Sequence, residues 1–204
     1  MGKKPVFKNL AELNQIHIRQ AVEIFVASFY EPLSFISSDV DVIADILEHS
    51  FIPSNHYVAL LDGNVVSVVS FSTAKGRSHR FHHENLVEKL GFLRGSIAFF
   101  RLRGVLERPL ELVDTQCYID SVATDTAFRG MGISTELQRY VLRTLPYNEF
   151  LLEVAETNFK AIRVYEELGF TVEQRKAQRS FWKPNSEGGK LSLRKTIRGN
   201  AAYQ

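Results

Sequence analysis

The sequence predicts a mixed α/β domain built on one sheet, and three observations carry that prediction. Two amphipathic helical patterns open the chain. They are followed by Asp62-Gly63-Asn64 set between two β-rich runs, a strong hairpin signal. Strand-like and helix-like segments then alternate toward the C-terminus, as in a sheet covered by helices. A chain of 204 residues suits one domain with an insertion.

In chain order, Ile18, Ala21, Val22, Phe25, Val26 and Phe29 recur at helical spacing, and Pro32 is expected to stop that helix. A second helix follows Ser38, with Val40, Ile43, Ala44 and Leu47 on one face. The hairpin strands span 57–61 and 65–71. Residues 73–113 read as a helical insertion. It opens with basic Lys75, Arg77, His79 and Arg80, and continues with Leu86, Leu90, Leu93, Ile97 and Phe100 on one helical face. An extended segment at 110–113 ends it. A third strand covers 117–124. A helix begins near Gly132, with Ile133, Leu137, Val141 and Leu145 four apart and Pro146 beyond its end. A fourth strand covers 150–154. The next helix begins at Asn158, carries Ala161, Val164, Tyr165 and Leu168 as its stripe, and has Gly169 suited to the left-handed position after its end. Last strands are expected near 170–174 and 178–183. The domain is thus placed at 1–183. Residues 184–204, with Lys190, Arg194, Lys195 and Arg198, are expected to form a loosely ordered basic tail.

Composition narrows the function classes. A net charge of +2 gives no general pull toward nucleic acid or an anionic surface, so neither partner is expected. The single cysteine, Cys117, allows no internal disulfide, which fits a cytoplasmic setting. No apolar run approaches the roughly 20 residues that span a bilayer. The start, Met1-Gly2-Lys3-Lys4-Pro5-Val6, leads into no apolar signal core and has Val6 where a myristoylation signal wants Ser or Thr.

The segment that carries chemistry is Arg129, Gly130, Met131, Gly132, Ile133 and Ser134, between a strand and a helix. Its two glycines allow a tight turn and bring bare backbone close to a ligand. The helix start adds unpaired N–H groups and a positive dipole end, and Arg129 adds a guanidinium, so the segment suits a pyrophosphate. No Gly-Lys-Ser/Thr follows, as a Walker loop requires, and the first glycine of the dinucleotide fingerprint is missing. Alone, the pattern is weak; its place between strand and helix makes it informative.

With Tyr118-Ile119-Asp120-Ser121-Val122-Ala123-Thr124 before it, and Leu152-Glu153-Val154, Asn158, Ala161, Tyr165 and Gly169-Phe170 after it, the sequence resembles the GCN5-related N-acetyltransferase (GNAT) family. Thr126 stands where many members have proline, and Ser134 where Gly or Ala is usual. The resemblance implies a mostly antiparallel central sheet flanked by helices, and acetyl-coenzyme A as cosubstrate for transfer to an amine. It implies that the amides of Arg129 to Ser134 hold the pyrophosphate, and that the backbone of Val122, Ala123 and Thr124 pairs with the pantetheine arm where two strands splay apart. It also implies that Asn158 bonds the pantetheine or a nearby water and that Tyr165 protonates the departing thiolate.

The residues themselves are compatible with that chemistry. Tyr165 follows Asn158 by close to two helical turns, so both can face one cleft; it also fits a core aromatic on the helix stripe. Strand alternation puts Asp120 on the face of Tyr118 and Val122, where it could accept the amine proton or be a partly buried structural carboxylate. Glu31, Asp39 and Asp41 lie in the region that lines the acceptor pocket in the family, although Asp39 also suits a helix cap. His79, His82 and His83 read as a solvated loop, and no metal is expected. Cys117 reads as an inert buried thiol. No activated nucleophile is evident, so transfer is expected to be direct, within a ternary complex. The rival readings are a non-catalytic acyl-coenzyme A-binding module and a protein- or RNA-interaction domain using the basic insertion and tail. An exposed apolar face on the inserted helix could also make a homodimer.

Overall fold

The computed structural model describes residues 4–177 and 189–197. In chain order the elements are β1 (Val6–Asn9), α1 (Gln15–Ser28), α2 (Tyr30–Leu33), α3 (Val40–Glu48), β2 (His56–Leu61), β3 (Asn64–Thr73), α4 (His83–Leu90) and α5 (Phe92–Leu106). After them come β4 (Gln116–Thr124), α6 (Ile133–Thr144), β5 (Glu149–Ala155), α7 (Phe159–Glu167), β6 (Thr171–Ala177) and β7 (Gly189–Thr196). One seven-stranded sheet has the order β1-β2-β3-β4-β5-β7-β6. Only β4 and β5 pair in parallel; every other neighbouring pair is antiparallel.

The sheet separates two cores. On one face, Ala21, Val22 and Phe25 of α1, Ile43 and Leu47 of α3, Leu86 of α4 and Leu102 of α5 pack with Val58, Val68 and Ala123. On the other, Leu137 and Val141 of α6, with Ala161 and Val164 of α7, pack with Val69, Phe71, Ile119, Phe150 and Leu152. The β2–β3 turn places both Asp62 (φ 52°) and Gly63 (φ 81°) in the left-handed region, which matches the twist of the two strands.

Several sequence expectations change. The four-residue edge strand β1 has no hydrophobic pattern of its own to announce it. The first helix ends at Ser28, and Pro32 lies inside the short α2, where its missing N–H falls in the first turn. The insertion, read as one helix or two, forms two, because Gly91 takes φ 77° at the junction. That break rotates the apolar face: Leu86 is buried and Leu90 packs on the core, whereas Leu93, Ile97 and Phe100 are exposed. Gly95 lets α4 and α5 cross closely, since a Cβ there would lie 2.6 Å from the Leu86 carbonyl oxygen.

The largest correction concerns the supposed tail. Residues 189–196 form β7, which lies between β5 and β6 and pairs with both. Leu191 and Leu193 alternate inward, while the flanking cations meet carboxylates: Arg194 reaches Glu173 at 2.8 Å and Glu149 at 3.4 Å, and Lys190 reaches Glu153 at 3.6 Å. Fixed charges of this kind look, in the sequence, like a solvated basic run. The strand expected at 178–183 lies outside the described residues. Among the described residues, no helix is long and apolar enough to cross a membrane.

The basic stretch before α4 is not solvated throughout either. His79 is 2% exposed and His56 is 0% exposed, with Phe25, Phe51 and Phe81 around them. His56 Nδ1 is 2.8 Å from the Ile52 carbonyl oxygen, and its Nε2 is buried without a hydrogen bond. His79 Nδ1 is 3.0 Å from Ser50 Oγ. Burial pushes the pKa of His56 down to about 4, although its bond to Ile52 opposes the shift. Burial lowers His79 well below the usual value, with His56 and Arg77 adding to the effect. Both rings are neutral when folded and titrate near pH 6.5 when unfolded, so protons favour the unfolded chain. Their stabilising effect is complete above about pH 6.5 and falls as the pH drops toward 4; for His56 alone the loss is roughly 3 kcal/mol. Denaturant unfolding between pH 7 and 4.5 should show this decline. His56→Leu, with one buried titrating ring fewer, should show a shallower one.

Candidate active site

The site is organised by a defect in β4. Ser70 pairs with Ser121 and Phe71 with Ile119, so Asp120 is an extra residue, a β-bulge. The bulge breaks the expected alternation. Ile119 and Val122, three apart, both join the core under α6 and α7, while Asp120 turns to the opposite face and meets Ser72. Asp120 therefore does not share a face with Val122, as strict alternation had implied.

At the same point β4 leaves β5. Their parallel pairing runs from Gln116 with Glu149 to Ile119 with Leu152 and stops. Beyond it, β5 continues against β7, and β4 continues to Thr124 without a partner on that side among the described residues. The backbone of Val122, Ala123 and Thr124 thus borders an opened edge.

The chain then makes a short 3₁₀ turn, Thr126–Phe128, capped where Asp125 Oδ1 accepts from Ala127 N at 2.9 Å. Gly130 (φ 80°) and Gly132 (φ 78°) follow in the left-handed region. A Cβ at either position would meet no atom within 4 Å, so the space over this backbone is open. Gly132 precedes α6 with no side-chain cap among the described residues, so the N–H groups of the first helical turn have no capping side chain there. Ser134 Oγ accepts from Gln138 Nε2, and Met131 is exposed. The exposed Arg129 is folded back: Nε donates to the Thr124 carbonyl at 3.0 Å, and Nη2 to Ser28 Oγ at 3.3 Å. A cleft of about 600 Å³ adjoins Thr124 and Arg129 and is walled by Gln20, Ala27 and Asn64; it includes neither Asn158 nor Tyr165. The open backbone, positive helix end and nearby guanidinium fit a pyrophosphate-bearing ligand.

Asn158 starts α7 as expected, its Oδ1 accepting from Ala161 N at 3.2 Å. Its amide nitrogen has no partner among the described residues. Tyr165 packs edge-on to Phe170 with ring centres 5.8 Å apart. Burial raises its hydroxyl pKa to about 12, so it holds its proton through the neutral range.

Asp120 is enclosed. Oδ2 accepts from Ser72 Oγ and, at 2.7 Å, from Ser78 Oγ. Arg77 Nη2 lies 2.9 Å from Oδ1, close enough for ion pairing although no N–H is aimed at that oxygen. Burial raises the Asp120 pKa, while Arg77 and the two serines work against the shift. Arg77 also donates from Nε to the Leu106 carbonyl at the end of α5, so it ties the insertion to β4. Ser72, Ser78 and Arg77 gave no sequence signal; they lie more than forty residues before Asp120, and only the bulge brings them to it.

Glu31 is on exposed α2, and Asp39 is the N-cap of α3, accepting from Asp41 N at 2.9 Å. His82 is exposed and His83 bonds Ser96 at 2.9 Å. Among the described residues, no group of three or more metal-ligating side chains is assembled. The Cys117 thiol is buried and its pKa is pushed up, first by burial and then by Asp120.

Residues 18–170 match the sequence model described as the Acetyltransferase (GNAT) family. The chain belongs to that family. Solved GNAT-type structures share its fold at low identity. A chain of the NatC complex bound to Gag peptide and CoA is 17% identical, with TM-score 0.59, covering 96% of this chain and 100% of that one. Ard1 from Thermoplasma volcanium is 16% identical, with TM-score 0.56, covering 96% and 99%. The ribosomal-protein-S18-alanine N-acetyltransferase from Escherichia coli is 12% identical, with TM-score 0.55, covering 98% and 100%. No curated protein matches the sequence significantly. GNAT membership supports acyl-coenzyme A-dependent N-acetyltransferase chemistry in general, and the mixed α/β sheet flanked by helices is the GNAT architecture.

The enclosure of Asp120 makes a stability prediction. Asp120→Asn leaves the Arg77 charge buried without its counter-charge, since the side chains of the pair are 14% and 7% exposed. Urea unfolding should show a loss of about 3 kcal/mol.

Proposed function

We propose that the protein transfers the acetyl group of acetyl-coenzyme A directly to a primary amine. The observation that carries this reading is the adjacency of two features: the glycine-lined, uncapped start of α6 and the β4 edge opened beyond Ile119. In this reading the amides from Arg129 to Ser134 hold the pyrophosphate, and the backbone of Val122 to Thr124 aligns the arm that follows it. The bound coenzyme supplies an electrophilic thioester carbonyl and a thiolate leaving group. The opened β4 edge offers backbone N–H groups near which negative charge can develop. Asn158 offers its free amide nitrogen to the arm. Tyr165 is protonated in the neutral range, as a phenol ordinarily is, and holds at Oη the proton to be delivered to the leaving sulfur.

The acceptor side is built from other groups. Asp120 is already engaged by two hydroxyls and a guanidinium, so we assign it a positioning role at the bulge. The amine proton then leaves through water. Asp39 caps α3, and we assign Glu31, on α2, to attracting a cationic acceptor.

Two variants test the reading. Tyr165→Phe keeps the ring against Phe170 and removes only the hydroxyl. Turnover with an accepted amine should fall by roughly 10²–10⁴-fold while acetyl-coenzyme A affinity stays near wild type. Equal turnover would leave Tyr165 as a packing residue. Gly132→Val fills the open space and strains a backbone at φ 78°. Calorimetry should show acetyl-coenzyme A binding reduced at least about tenfold, with a stability loss of about 1–3 kcal/mol. Unchanged affinity in the folded variant would remove the cradle from the site.

A further inference from the structure

The line of α5 that points farthest from the core is apolar. Its buried residues are Gly95, Ala98 and Leu102. At 3.6 residues per turn, the opposite line runs through Leu93, Ile97, Phe100 and Gly104. Leu93 is 72%, Ile97 53% and Phe100 69% exposed, and Phe92, at the start of the helix, is 74% exposed. An ordinary surface helix carries polar residues on this line.

Arginines border the stripe on both sides, Arg94 and Arg101 on one and Arg103 on the other, and Phe92–Leu106 contains no acidic residue. Each guanidinium is held in place. Arg94 Nη2 is 3.5 Å from the Ile36 carbonyl oxygen, Arg101 lies 3.9 Å over the Phe35 ring, and Arg103 lies 3.1 Å from Glu107 just past the helix. The result is a fixed apolar ridge, cationic on the side of Arg94 and Arg101 and bordered on the other by the Arg103–Glu107 ion pair.

We propose that α5 docks the protein on an anionic phospholipid surface, with Phe92, Leu93, Ile97 and Phe100 entering the acyl boundary and the arginines meeting headgroup phosphates. Charge complementarity selects this occupant. A second copy packed about a two-fold axis would set three arginines of each copy against those of the other, with the Glu107 carboxylate beside them already paired to Arg103. A peptide helix docks in a groove, whereas this face is a ridge of exposed side chains. A helix lying in a membrane interface needs this arrangement of apolar centre and basic margins. The sequence expectation of no membrane partner rested on the lack of a spanning segment and a small net charge; peripheral docking needs neither.

The test uses the full chain and co-sedimentation with two vesicle preparations, equimolar phosphatidylglycerol and phosphatidylcholine, and phosphatidylcholine alone. The protein should sediment with the anionic vesicles, less so as salt rises, and not with the neutral ones. Leu93→Gln/Phe100→Gln should weaken vesicle binding at least about tenfold. Both positions are exposed, so its thermal midpoint and acetyl-coenzyme A affinity should match wild type. Absence of binding to the anionic vesicles overturns the proposal and returns the face to a protein partner. Vesicle binding unchanged in the double variant also overturns it. So does a wild-type particle of twice the chain mass that the double variant halves, which would make the occupant a second copy.

Discussion

The bulge at Asp120 is the constraint on which the rest of the site depends. A bulge bends a strand and increases its local twist. Here it falls at the residue after Ile119, the last β4 residue paired with β5. A regular β4 would continue beside β5 and close the edge that the bend opens. The bend also aims the strand end toward the 3₁₀ turn at Thr126–Phe128, and from there into the two left-handed glycines and α6. Strand opening and helix start are therefore consequences of one local irregularity.

A bulge turns a side chain that would otherwise lie in the ladder, and this one turns a carboxylate into a nearly closed space. An ionised carboxylate there would be costly alone. Ser72, Ser78 and Arg77 offset that cost, and Arg77 carries the connection on to the end of α5. The insertion is thus coupled to the strand that opens the site. A polar cluster of this kind is weak evidence for stability but a strong constraint on geometry, because displacement of any member leaves another buried and unpaired.

The two sides of the sheet carry different work. The face under α6 and α7 packs Tyr165, Ala161 and Val164 against the sheet, with the glycine turn and Asn158 at the starts of those two helices. The opposite face bears α1 to α5, with the buried histidine pair and the insertion. The inserted helices lie outside the glycine turn and its helix, so they can vary in surface character without disturbing either. The outward apolar ridge of α5 fits that freedom.

The sequence by itself determined the elements whose signals are local. The Asp62-Gly63 turn, the Gly169 helix end and the paired glycines before α6 follow from backbone conformations that few other residues adopt, and the Asn158 cap from a side-chain oxygen that accepts from the helix start. The order of those signals was enough to read the mixed α/β sheet and the GNAT resemblance. Tertiary structure alone decided features that depend on distant partners. Lys190 and Arg194 read as a solvated tail until Glu149, Glu153 and Glu173 on neighbouring strands pair with them and let Leu191 and Leu193 enter the core. His79 read as a loop residue until Phe25, Phe51 and Phe81 enclosed it. The face of Asp120 could not follow from period-two alternation, because a bulge is a mismatch between two strands and has no meaning in one strand alone.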